Sequence, residues 1–305
     1  MADLSVGLFG RRLRNPVMNA SGTLGYGSEI EPLWRVDTLG AYVSKGLSAK
    51  PHHGNPPPRL WEERSALMNS IGLQNIGLKR FFDEAFPLFQ RKKTPVIINF
   101  FGFTEEEYVR CAEQTKADRL IVALEMNLSC PNIAQGGLCL GREAADVFKV
   151  VKRVKAVTRL PLLVKLTPLV TDIVAIARAA CEAGADGITV LNTFPAVAID
   201  VEGMSMPFRG GLSGPFLKGM ALKAVADISG AVPVPVIGTG GIMDENDALA
   251  FLMAGATAVQ VGTATFVDPF AIPKIIKGID AYLDAHCVSR VAQIIGTARA
   301  QNRAL

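Results

Sequence analysis

Short, continuously apolar runs recur along the chain: Val17 to Ala20, Ala41 to Ser44, Val96 to Asn99, Leu120 to Met126, Leu162 to Leu166, Gly187 to Leu191, Val234 to Ile237 and Ala258 to Val261. Their brevity and lack of polar alternation predict strands buried on both faces. The segments Glu105 to Gln114, Glu143 to Val157, Asp172 to Ala183, Leu217 to Ile228, Glu245 to Ala254 and Pro269 to Ala285 carry apolar residues at helical spacing, as crossover helices between parallel strands require. Eight such runs predict an α/β chain in which residues 1–305 form a single (β/α)8 barrel. A doubly wound open sheet is the main alternative. No G-x-G-x-x-G follows the first run, and polar residues follow strand after strand, which favours the barrel.

Two long stretches break the alternation, one from Leu47 to about Gly77 and one from Phe194 to about Pro215. Both read as irregular insertions over the C-terminal face of the barrel. Their polar residues, Asn69, Gln74 and Asn75 in the first and Arg209, Gly210, Gly211 and Ser213 in the second, suit functional lids better than disordered linkers.

Composition narrows the classes. The chain has 305 residues, 49% hydrophobic and 20% charged, with a formal net charge of +4. These values suit a compact enzyme with a large core. The densest basic group, Arg91-Lys92-Lys93, lacks interleaved aromatics and reads as a solvated helix end, so no nucleic-acid partner is expected. No apolar run approaches the roughly 18 residues that span a bilayer, and the N-terminus does not resemble a signal peptide, so neither a membrane anchor nor secretion is expected. Five widely spaced cysteines (Cys111, Cys130, Cys139, Cys181, Cys287) include no C-x-x-C pair. They predict no disulfide framework and no metal or iron–sulfur site in this chain, and fit a reducing cytoplasmic setting.

The candidate chemistry lies at the strand ends. Beyond the fourth run, Asn127-Leu128-Ser129-Cys130-Pro131-Asn132 sets a thiol among hydrogen-bonding side chains, company that a core cysteine does not need. The turns Gly238-Thr239-Gly240-Gly241-Ile242 and Gly262-Thr263-Ala264 follow the seventh and eighth runs, where barrels build phosphate sites from bare backbone amides. A phosphorylated substrate or flavin mononucleotide (FMN) satisfies such a site equally. Around the rest of the rim stand Asn19, Ser21, Gly22, Lys45, Asn99, Asn127, Lys165, Asn192 and Thr193. Amides outnumber carboxylates, which argues against metal or paired-carboxylate chemistry and for a flat, hydrogen-bonding heterocycle. Buried lysines call for an anionic partner, and a reduced flavin is one.

On these residues the chain resembles the class 1 dihydroorotate dehydrogenases, and more closely the catalytic subunit of the NAD-linked type 1B branch. The likeness covers almost the whole chain: Asn19-Ala20-Ser21-Gly22, Ser44-Lys45-Gly46, Asn69 to Asn75, Asn127 to Asn132, Leu191-Asn192-Thr193, Gly211-Leu212-Ser213-Gly214-Pro215 and the paired glycine turns. It implies oxidation of (S)-dihydroorotate to orotate over FMN in pyrimidine biosynthesis, with Cys130 as the base at C5. A thiol with an ordinary pKa of about 8.5 suits that proton transfer. The membrane-linked class 2 enzymes have serine at this place. The resemblance also implies orotate ligands at Lys45, Asn69, Asn127, Asn132, Asn192 and Thr193, with the backbone of Ile71, Gly72 and Leu73 at the carboxylate. It implies FMN ligands at Ala20, Ser21, Lys45, Asn99, Asn127, Lys165, Gly214, Gly240, Gly241, Gly262 and Thr263.

The resemblance further implies a partner subunit carrying FAD and a [2Fe-2S] cluster, in a heterotetramer of two catalytic and two electron-transfer subunits. This chain has neither a cysteine cluster nor a dinucleotide fingerprint for those cofactors. Cys139, nine residues beyond Cys130, is a second candidate thiol. Three enzyme alternatives stand beside this reading: a fumarate-dependent type 1A enzyme, a dihydropyrimidine dehydrogenase-like subunit that would bind uracil rather than orotate, and a flavin-free phosphate-binding lyase or isomerase. A non-catalytic scaffold is the fourth, and gives no reason for a thiol and two lysines at strand ends.

Overall fold

The computed structural model describes residues 2–128 and 140–301. Its centre is a sheet of eight parallel strands: β1 (Val17–Asn19), β2 (Tyr42–Val43), β3 (Val96–Phe100), β4 (Ile121–Asn127), β5 (Leu162–Lys165), β6 (Gly187–Val190), β7 (Val236–Thr239) and β8 (Ala258–Val261). They pair in the order β1-β8-β7-β6-β5-β4-β3-β2. A parallel bridge from Met18 to Ala41 joins the two ends, so the sheet closes into a (β/α)8 barrel. The strands are buried throughout, apart from half-buried Asn127, because each lies between the packed barrel interior and a covering layer.

Six helices expected from the spacing appear at Glu105–Gln114, Ala144–Val157, Ile173–Glu182, Lys218–Ala231, Glu245–Ala254 and Ala271–Ala285. Three of them begin on a side chain that accepts an otherwise orphaned backbone N–H. Thr104 accepts from Glu107, Asp172 from Val174 and Ala175, and Asp244 from Asp247. The β2–β3 connection adds helical turns from Gly77 to Lys92, interrupted by a π-helical segment at Phe81–Ala85. Its buried Phe81 and Phe89 pack beneath the barrel wall, where Phe89 stacks on Tyr42 with centroids 4.3 Å apart. Between β1 and β2 the described secondary structure is one 3-10 turn, Val36–Thr38.

The two insertions are not irregular, which corrects the expectation from their Gly, Met and Pro content. Phe194–Asp200, Ser205–Ser213, Ala66–Asn69 and Leu60–Glu63 form one antiparallel sheet in that order. Gly211 pairs with Asn69 and Ser213 with Leu67, so strands from distant parts of the chain complete one another. Met68, Ala198 and Phe208 form its separate small core, with Trp61 stacked on Phe208. The insertions leave from the C-terminal ends of β2 and β6, which sets the sheet beside the barrel mouth. At the opposite end, the hairpin Val6–Leu8 with Arg11–Leu13 buries Val6, Leu8 and Leu13. No helix among the described residues is long and apolar enough to cross a membrane.

Closure relies on side chains, because β2 is two residues long. Asn19 Nδ2 donates to the Val43 carbonyl at 2.8 Å, while the Val43 N–H donates to Asn19 Oδ1 at 2.9 Å. Asn15 does the same one turn earlier: its Oδ1 accepts from the Val17 N–H at 3.0 Å, and its Nδ2 donates to the Thr38 carbonyl at 2.9 Å. Replacing Asn19 by Leu strips two partners from the buried Val43 backbone, at about 1–3 kcal/mol per unsatisfied group. We expect Asn19→Leu to lose about 3 kcal/mol of unfolding free energy in urea, with the slope of the transition unchanged.

Candidate active site

The rim residues fall into three hydrogen-bonded groups. The first joins β4, β6 and the inserted sheet. Asn192 Nδ2 donates to Asn127 Oδ1 at 3.1 Å, and the Thr193 N–H donates to Asn192 Oδ1 at 2.8 Å. Thr193 fills the space where Gly211 lacks a side chain, and Asn69 Nδ2 donates to the Gly211 carbonyl at 3.2 Å. Tyr108 Oη donates to the Asn127 carbonyl at 2.6 Å, fixing the strand end beneath this group. Asn69, Asn127, Asn192 and Thr193, expected from separate stretches, therefore share one half-buried cluster.

Sequence reasoning missed most of the second group. Glu125, in the middle of β4, is fully buried. Its carboxylate accepts from Asn99 Nδ2 at 2.7 Å, Thr189 Oγ1 at 2.8 Å and Gln260 Nε2 at 2.6 Å. The available signal was a Glu and a Gln interrupting apolar strands, in Ile-Val-Ala-Leu-Glu-Met-Asn and Ala-Val-Gln-Val. Asn99 Oδ1 is buried with no hydrogen-bond partner among the described residues, and it lies toward Gly46, next to Lys45. Lys165 is buried and donates to Gln260 Oε1 at 3.4 Å, with no carboxylate at ion-pair distance among the described residues. Burial lowers its pKa, opposed by the charge of Glu125. Half-buried Lys45 is likewise lowered, by burial first and then by the Arg59 guanidinium.

The third group comprises the glycine turns. Gly240 and Gly241 have φ of +118° and +80°, which favours glycine. A Cβ on Gly241 would come within 2.5 Å of the Lys218 N at the start of the preceding helix, Lys218–Ala231. Asp247 braces this turn by accepting from the Met243 N–H at 2.9 Å and pairing with Lys218 Nζ at 2.7 Å. Between β8 and β1, the Ala20 N–H donates to the Val261 carbonyl at 2.7 Å, and a Cβ on Gly262 would lie 3.3 Å from the Ala20 Cβ. Half-buried Ser21 follows. Thr263 Oγ1 donates to Ser213 Oγ at 2.8 Å and so ties the β8 turn to the inserted sheet. Gly214, with φ of +128°, lies against Ser65 and Ala66 of that sheet.

The loop expected to meet the substrate carboxylate is held from outside. His52 and Asn75 exchange backbone hydrogen bonds at 2.9 Å, the Asn55 N–H donates to the Ile71 carbonyl at 3.1 Å, and Arg59 reaches Gln74 Oε1 at 2.8 Å. Gly72 and Leu73 both have positive φ, +67° and +59°. A leucine in this region carries local strain of the kind that collects at functional sites. Cys130, Asn132 and Cys139 lie outside the described residues. No cluster of metal-ligating side chains occurs among the described residues.

A sequence model described as dihydroorotate dehydrogenase matches residues 3–283. The chain belongs to the dihydroorotate dehydrogenase family. It is 46% identical over 297 residues to the "Dihydroorotate dehydrogenase B (NAD(+)), catalytic subunit" of Pelobacter propionicus, covering 96% of this chain and 98% of that one. The proteins of the same name from Geotalea daltonii, 47% identical over 299 residues, and Geobacter sulfurreducens, 46% over 297, are covered to 97%, again with 96% of this chain.

Two of the described thiols, Cys111 and Cys181, are unsuited to a base's role. Burial pushes Cys111 up to about 12 and Cys181 to about 11. Below about pH 9 the Cys111 thiol is protonated in the folded and unfolded chain alike, and its contribution to stability is intact. Between pH 9 and about 12 the unfolded chain alone releases this proton, so stability falls as pH rises. At 1.36 kcal/mol per unit, we expect about 2 kcal/mol of the loss between about pH 9 and pH 10.5 to be absent in Cys111→Ala, measured by urea unfolding.

Proposed function

We propose that this chain is the catalytic subunit of an NAD⁺-linked dihydroorotate dehydrogenase, which binds FMN at its barrel mouth and oxidises (S)-dihydroorotate to orotate in pyrimidine biosynthesis. The observation that carries this reading is the state of the second group: a buried lysine without a carboxylate at ion-pair distance beside a buried amide oxygen without a donor. An anionic, hydrogen-bonding heterocycle satisfies both, at the costs that isolated buried polar groups otherwise incur. The glycine turns fit the same ligand, since Gly241 lets the backbone approach where a Cβ would collide with Lys218 N.

FMN, when bound, supplies the acceptor for the hydride from C6 of dihydroorotate. Lys165 and Asn99 would hold it, with the lysine charge offsetting the negative charge the bound group would gain. Gly240, Gly241, Gly262 and Thr263 hold the phosphate, with Ala20 and Ser21 alongside, and Gly214 supports the mouth from the inserted sheet. Lys45, Asn69, Asn127, Asn132, Asn192 and Thr193 orient the pyrimidine, and the Ile71-Gly72-Leu73 backbone meets its carboxylate. Cys130, as thiolate, takes the C5 proton, and the C5–C6 bond becomes double. The cross-linked amides are set before the substrate arrives, which lowers the cost of ordering it.

The word "catalytic subunit" in the names of the relatives supports a second subunit. In this reading it carries FAD and a [2Fe-2S] cluster, pairs with this chain as a tetramer of two and two, and delivers the electrons to NAD⁺.

The purified chain should bleach a flavin band anaerobically on addition of (S)-dihydroorotate. Cys130→Ser should slow that bleaching at least 100-fold, in line with the loss of a general base. The chain alone should reduce an artificial dye but not NAD⁺ until the partner is added. A protein that stays colourless after FMN addition overturns the cofactor, and NAD⁺ reduction at full rate without a partner overturns the electron route.

A further inference from the structure

Glu125 has no role in the assignments above, yet it is the group around which the second cluster is built. It is fully buried, and its donors come from three other strands: Asn99 on β3, Thr189 on β6 and Gln260 on β8, all within 2.8 Å. No cation lies at ion-pair distance from it among the described residues, so its charge is carried by neutral donors. A buried carboxylate of this kind gives little net stability, and an apolar side chain would fill the same space at less cost. What it does supply is direction. An ionised carboxylate accepts and cannot donate, so each amide facing it must present its NH2 group.

That requirement has a consequence at the mouth. With Nδ2 turned to Glu125, Asn99 is left with Oδ1 pointing away toward the Lys45-Gly46 turn, and this is the buried oxygen with no partner. With Nε2 turned to Glu125, Gln260 is left with Oε1 toward Lys165 Nζ, 3.4 Å away. We propose that Glu125 is a positioning residue for the cofactor: it fixes which atom of Asn99 faces the ligand and, through Gln260, where the Lys165 ammonium sits. This rests on the reading that FMN binds at this mouth.

A glutamine at position 125 matches the shape but offers an NH2 group of its own, so at least one facing amide must turn or lose its partner. The test uses FMN-free chain carrying Glu125→Gln, Asn99→Ala or both, titrated with FMN by fluorescence quenching. Thermal unfolding of each FMN-free protein reports whether it folds. We expect Glu125→Gln to weaken FMN binding at least ten-fold and the double variant to bind no more weakly than about the worse single one, because Glu125 acts through Asn99. The absorption maximum of bound FMN should shift alike in both single variants, which general loosening of the core would not produce.

If Glu125→Gln does not fold, Glu125→Asp is read the same way, since it keeps the charge but is one methylene too short to meet Asn99 and Gln260 together. Binding by the variant within two-fold of the unsubstituted chain, or losses that multiply in the double variant, overturns the positioning role alone. Absence of FMN binding by the unsubstituted chain overturns the cofactor reading and this proposal with it.

Discussion

The barrel depends on how its first and second strands meet. Seven of the eight contacts between neighbouring strands are ordinary parallel ladders, but β1 and β2 touch through a single backbone bridge. A sheet left open there would expose two edges, with their unpaired N–H and carbonyl groups, inside a structure whose helices cover both. Asn19 and Asn15 resolve this because a side-chain amide carries the same donor and acceptor pair as a peptide. Each amide enters the ladder where backbone is missing. On either side of this junction the ordinary ladders set Ala20 beside Gly262, from β8, and Gly46, next to Lys45, beside Asn99, from β3. Asn19 stands at a strand end, as ligand-binding residues do, but its hydrogen bonds are spent on the seam.

Within that closed wall the two buried charges are treated differently. Glu125 receives three short hydrogen bonds and is satisfied without a ligand. Lys165 receives one long contact to an amide oxygen. Their attraction crosses Gln260, so neither neutralises the other directly. Had the two met as an ion pair, Lys165 would have its anion already, and a ligand would have to break that pair to bind. Separating them by one amide keeps the ammonium oriented and leaves its field directed at the mouth.

The eight strands and six helices were legible because apolar runs bounded by turns need no knowledge of their neighbours. The inserted sheet was not. Leu-Trp-Glu-Glu and Ala-Leu-Met-Asn are too short to carry a period, and they become strands when Ser205–Ser213 arrives from the other insertion to pair with Ala66–Asn69. Of the Gly77–Lys92 turns only the end was legible, where Arg91-Lys92-Lys93 closes a helix as expected; the rest was hidden by a phenylalanine cluster whose spacing follows a π-helical interruption instead of a regular helix. At the site, Asn127, Asn192, Thr193 and Asn69 could be named one by one from motifs, but their bonding into one cluster is a product of barrel closure and sheet pairing. Glu125 and Gln260 were visible as polar interruptions of apolar strands. Attention to strand ends passed over them, although a carboxylate in such a place must recruit donors from across the barrel.

The two ends of the barrel explain why all this polarity collects on one side. At the N-terminal end, the Phe9 ring lies where a side chain on Gly187 would be, and the hairpin buries its apolar residues against the barrel. That end is filled, and the connections Ala183 to Asp186 and Gly255 to Thr257 return directly into strands. At the other end each insertion leaves one strand tip and rejoins the chain near where it left, so its length strains no barrel ladder. The inserted strands could therefore grow into a sheet with its own small core. The Ser213–Thr263 contact then anchors that sheet to the rim, while Asn69 and Gly211 hold its own strands together. Stability is invested in the filled end and the wall, and the mouth is left free to hold groups, such as Lys165 and the Asn99 oxygen, that no folding requirement satisfies.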